Sequence, residues 1–159
     1  MSYYEFCFEA SIEILPIGNG PKVLRYNVVI LPPEIAKALP FHEFPKLRII
    51  GEVGDHPIRG AWNPVADGRK YFILSQKFLD NAELMVGDVI EVRFNIDDQD
   101  YVDIPIEMQH ALMSNATLKA KWDSLTSGKK RFHCHQISSA KHQKTRDKRV
   151  ADVISLLDC

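Results

Sequence analysis

The chain is short of cysteine, with three in 159 residues. Cys7, Cys134 and Cys159 are odd in number and far apart, which argues against a disulfide framework and fits a reducing compartment. No apolar run approaches the roughly 18 residues that span a bilayer. The opening Met1-Ser2-Tyr3-Tyr4-Glu5 lacks the basic and apolar regions of a secretion signal. The expected location is therefore cytoplasmic, with no membrane span. Also missing are a phosphate-cradling glycine loop, a nucleophile elbow and a His-Glu-x-x-His pair. No set of acid, base and nucleophile can be named, so the expectation is a protein that is not an enzyme and needs no cofactor. There is no internal repeat or low-complexity segment, and no run of interleaved aromatics to stack single-stranded nucleic acid.

What is there is ordinary for a globular domain: 45% hydrophobic and 26% charged residues, enough for one core with an appendage. The net charge of −1 hides an asymmetry. Residues 1–116 carry 10 Lys/Arg and 17 Asp/Glu, whereas residues 117–159 carry 10 and 4. A basic tail either packs on an acidic body or meets an anionic partner.

Hydrophobic period divides the chain at Pro105. Before it, residues 3–15 alternate, with Tyr4, Phe6, Phe8, Ala10, Ile12 and Ile14 on one face, the pattern of a half-buried strand. Further strands are expected at Val23–Leu31, Lys46–Val53, Ile58–Trp62 and Lys70–Leu74. The sixth leaves the Gly87-Asp88 turn, where glycine allows a positive φ. Short helices are expected at Glu34–Leu39, opened by Pro33, and at Gln76–Ala82. After Pro105 the period becomes helical. Asn115 is a good N-cap, Thr126-Ser127-Gly128 breaks the chain, and a helix runs from Lys129 to Leu157 with a break near Lys144-Thr145. The fold class is thus α+β: a small six-stranded β-barrel or sandwich in 1–103 and a helical tail in 104–159 packed on it.

The order of features resembles a bacterial family that pairs a small β-barrel domain of unknown function with a helical tail of the bacteriocin-protection, YdeI/OmpD-associated type. The residues that carry the resemblance are Leu31-Pro32-Pro33-Glu34, the run from Arg48 through Gly51 to Arg59, Gly68 before Tyr71, Val86-Gly87-Asp88 with Val92, and Ile104-Pro105 with Ala111-Leu112. In the tail they are Lys130-Arg131, Ile137, Ala140-Lys141, Thr145-Arg146 and Arg149. The resemblance implies a double-split β-barrel, akin to the swapped-hairpin barrels of some transcription regulators, and a role in tolerance to bacteriocins or antimicrobial peptides. It implies no catalytic residues. With the chain ending at Cys159, soon after the last helix, no further module is expected.

The first candidate site is Lys141, Thr145, Arg146 and Arg149. Val150, Val153, Ile154 and Leu157 mark the buried face of the last helix, and extending it backwards at about 100° per residue puts Arg146 on that face. A buried guanidinium must be paired. Either a carboxylate of the acidic body accepts it, as a clamp, or Arg146 lines a pocket for an anionic ligand between barrel and tail, with Lys141 and Arg149 as further contacts. Thr145 suits a helix cap. Arg59 and Trp62 follow a turn and fit a cleft, although a tryptophan there is more often core.

The alternative is a nucleic-acid-binding regulator using Lys129, Lys130 and Arg131, which suit phosphate contacts but equally a solvated face. Metal is not expected. On a helix His133 and His135 point about 200° apart, and Asp97, Asp98, Asp100 and Asp103 lack the glycine and distal glutamate of a calcium loop. The expected state is a monomer or small homo-oligomer.

Overall fold

The computed structural model describes residues 3–18 and 20–158. The chain divides into two units, Met1–Gln99 and Asp100–Cys159. The first is a curled, wholly antiparallel sheet of seven strands in the order β1-β7-β4-β5-β6-β3-β2. These are β1 (Phe6–Ser11), β2 (Glu13–Ile17), β3 (Leu24–Ile30), β4 (Leu47–Val53), β5 (His56–Pro64), β6 (Lys70–Ile73) and β7 (Val89–Ile96). Two short helices, α1 (Pro33–Ala36) and α2 (Gln76–Ala82), join them. Gln99, the last residue of the first unit, still serves the sheet. Its side chain accepts from Arg48 N at 3.0 Å and donates to Arg48 O at 3.0 Å.

The expected strand over 3–15 is two strands, which raises the count from six to seven. The chain breaks at Ile12, and its halves lie at opposite ends of the sheet. β1 pairs with β7, from Phe6 opposite Phe94 to Ser11 opposite Val89, and β2 pairs with β3. Ile12 is held where it bends: its N–H donates to Asp88 O at 2.9 Å, and Gly87 N–H donates to its carbonyl at 2.8 Å. Gly87 has φ +98°, so the turn anticipated there also pins the strand that bends. Beyond the bend, Ile14 is exposed rather than buried, while Leu15 on the other face packs with Val28 and Tyr71.

β4 and β5 form a tight hairpin across Gly54 and Asp55, both at positive φ, as a two-residue turn matching strand twist requires. Trp62 is fully buried, its ring 6.0, 5.7 and 5.5 Å from those of Phe8, Phe72 and Phe94. It is a core residue and offers no face to a ligand. On the outer face Arg93 binds Glu52 and Glu91 at 2.7 Å each and also Asp55.

The second unit holds α3 (Ile106–Met113), α4 (Ala116–Asp123), α5 (Ser127–Ser138) and α6 (Gln143–Leu157). Asn115 caps α4 as expected, accepting from Leu118 N at 3.1 Å. The helix breaks at Thr126 as expected, but Ser127 and Gly128 already belong to α5, which Thr126 caps by accepting from Lys129 N at 3.3 Å. The long helix breaks earlier than expected, between Ser138 and Gln143. The core comprises Met108, Leu112, Leu118, Trp122, Cys134, Ile137, Val150 and Val153. No helix among the described residues is long and apolar enough to cross a membrane.

Gly51 is where β4 lies against β7. A Cβ there would collide with Arg93 O and Phe94 Cα, both backbone atoms. Gly51→Ala is expected to cost about 3 kcal/mol or more. Gly68→Ala, at φ +95° with nothing nearby, is expected to cost about 1 kcal/mol. Urea unfolding of the two variants measures the difference, and equal midpoints would contradict the close approach.

Candidate functional site

α6 carries two arginines one turn apart, and both reach the C-terminus of α5. Arg146 donates from Nη1 to Ser138 O at 3.1 Å. Its other edge grips Glu107, Nε to Oε1 at 2.7 Å and Nη2 to Oε2 at 3.0 Å. The pair is mostly buried, with side chains 22% and 14% exposed. Arg146 is therefore a clamp, as one reading expected, and its carboxylate, Glu107, belongs to the acidic residues 1–116, on α3 of the helical unit. The guanidinium holds the Glu107 carboxyl down at about 2, helped by the backbone N–H at the first turn of α3 and by Gln143. An arginine spent in this way contributes no anion site.

Arg149 donates from Nη1 to Gln136 O at 2.5 Å and to Ser139 Oγ at 3.2 Å. Its Nε and Nη2 have no partner among the described residues. Thr145 lies inside α6 and caps nothing; the cap position belongs to His142. Lys141 is exposed in the α5–α6 connection. Of the basic run, Arg131 donates to Tyr101 O at 2.9 Å, which ties it to the start of its own unit. Lys129 is exposed and Lys130 half-buried. His133 packs its ring 6.4 Å from that of Trp122. Cys134 is buried, which pushes its thiol up to about 11 and makes it a poor nucleophile.

These side chains frame a groove of about 290 Å³ between α5 and α6. α5 supplies Phe132, His133 and Gln136. α6 supplies Arg149, Asp152, Val153 and Leu156, spaced i, i+3, i+4 and i+7 on one face. Phe132 is 60% exposed and Leu156 59%, so two large apolar side chains stand largely open to solvent at the groove. The sequence reading passed over both. The signal for Phe132 was an aromatic inside the run Lys129-Lys130-Arg131-Phe132-His133. Leu156 lies beside the stripe Val150, Val153, Ile154, Leu157 and was hidden by it.

A groove of about 390 Å³ lies in the sheet unit, where β6 pairs with β5 only at Asn63 and Pro64. Its polar groups are committed. Arg59 holds Asp97 through Nε at 2.7 Å and Nη2 at 3.0 Å, which lowers the Asp97 carboxyl below its usual range. Asn63 donates to Ala61 O at 3.1 Å, and Ser75 caps α2. In the helical unit Asp100, from the acidic stretch, accepts from Ser127 Oγ at 3.0 Å.

The Glu107–Arg146 pair sets a pH dependence. Glu107 titrates near 4.5 ordinarily and at about 2 in the fold. Its stabilisation is full above about 4.5 and is lost as pH falls from there towards about 2. Glu107→Gln is therefore expected to lower the melting temperature at pH 7, with the gap to wild type narrowing below pH 4.5 and closing near 2. A gap that persists at pH 2 would show that the ion pair is not what the glutamate contributes.

No curated protein and no solved structure matches the chain. Residues 101–158, which are 58 of the 159, match the model of a family described as Bacteriocin-protection, YdeI or OmpD-Associated. The groove, both arginines of α6 and Glu107 all lie within that match, and it is the helical unit that is similar to the bacteriocin-protection, YdeI/OmpD-associated family.

Proposed function

We propose that the chain is a non-enzymatic cytoplasmic binding protein in bacteriocin tolerance, and that its α5–α6 groove docks an amphipathic helical peptide. The carrying observation is the pair of exposed apolar walls, Phe132 and Leu156, on one groove of the unit that matches the family. Two antiparallel helices with an apolar floor suit a helix laid between them, and large apolar side chains left open mark such surfaces. The non-enzymatic part rests on how the titratable groups are used: Glu107, Asp97, Arg59, Arg93 and Arg146 stand in ion pairs, and Cys134 is buried. The cytoplasmic part rests on the free thiols of Cys7 and Cys134. In the same reading the sheet unit is a double-split barrel, supported by the strand that bends at Ile12 to serve both ends of the sheet.

The test is survival of bacteria expressing the full chain when challenged with a helical bacteriocin. Wild type is expected to raise survival. Phe132→Asp with Leu156→Asp is expected to abolish the gain while melting within a few degrees of wild type, since both side chains are exposed. Equal protection by the double variant would overturn the groove, and none by wild type would overturn the tolerance role.

A further inference from the structure

Building on the docking reading, we infer that the groove selects its partner by a carboxylate: an acidic side chain of the docked helix binds the Nε/Nη2 edge of Arg149. Arg146 supplies the template. Both arginines spend Nη1 on a carbonyl of the last turn of α5, Ser138 for Arg146 and Gln136 for Arg149. In Arg146 the remaining edge holds a carboxylate two-pronged. In Arg149 the same edge, with three N–H groups, has no acceptor among the described residues. The fixed Nη1 removes most of the freedom that a long side chain loses on binding. A planar fork held in place beside apolar walls suits a carboxylate, which it binds through two parallel charge-assisted bonds.

The other charged groups at the groove set the orientation. Asp152 follows Arg149 by one turn and forms no ion pair among the described residues, so it repels a second acid placed near it. His133 of α5 lines the same groove. The apolar anchor then belongs at the far end, with Phe132 and Leu156. Arg149 and Leu156 are seven residues apart on α6, about 10 Å along the axis. A helix lying along the groove spans the same distance with its acid and its anchor seven positions apart.

The test is fluorescence anisotropy of the full chain with two labelled helical peptides. Both carry one leucine-rich face; one has Glu seven positions from the central leucine, and the other has Gln there. Wild type is expected to bind the Glu peptide about tenfold tighter, the size of one charge-assisted pair. Arg149→Gln is expected to bind both peptides equally, at the affinity wild type shows for the Gln peptide. Equal binding of the two peptides by wild type overturns the carboxylate reading and leaves docking intact; binding of neither overturns both. The wild-type comparison decides the matter even if Arg149→Gln loosens the α5 terminus.

Discussion

Helix α5 ends at Ser138 with carbonyls that its own turns cannot satisfy, and α6 supplies the donors. Arg146 takes Ser138 O and Arg149 takes Gln136 O. Cations at that end also complement the helix dipole. This contact fixes how the last two helices meet, and Glu107 extends it to α3. The groove follows from it: with the α5 terminus tied to the first turns of α6, the later turns of α6 run past Phe132 and leave Leu156 opposite it. The same contact settles what each arginine has left to offer. Arg146 has nothing, and Arg149 has an edge.

The sheet unit obeys a different constraint. A strand can serve both ends of a curled sheet only if it bends, and Ile12 is where it does so, fixed by backbone bonds to Gly87 and Asp88. Around that bend the buried core is mostly aliphatic, with Trp62, Phe72 and Phe94 packed into it. Its outer charges are paired locally, Arg93 with three carboxylates and Arg59 with Asp97. The family match lies on the helical unit alone, and that unit also carries the groove lined by Arg149, Phe132 and Leu156.

Some local signals were read correctly from the sequence. Alternation over Tyr4–Ile12, the glycine at 87 and the cap at Asn115 are each decided by a few neighbouring residues. Helical period also placed Arg146 on a buried face. Its partner was not legible, because Glu107 lies 39 residues away and only packing of α3 against α6 brings it near. The bend at Ile12 was hidden for a similar reason: the alternation runs through it unbroken, and the force that bends it comes from a turn 75 residues later. The break at 139–142 has no proline or glycine to announce it. Exposure of Phe132 and Leu156 is a tertiary property, since a large apolar residue on a helix is ordinarily core.

The most direct measurement is a titration of isotope-labelled full-length protein with the leucine-faced, glutamate-bearing peptide, following backbone amide and arginine Nε–H chemical shifts. The account predicts shifts at Phe132, Gln136, Val153 and Leu156 and at the Nε–H of Arg149, with the Nε–H of Arg146 unmoved. Shifts centred instead on Ile58, Ala61 and Phe78 of the sheet unit, or an Arg149 Nε–H that does not respond, would contradict it.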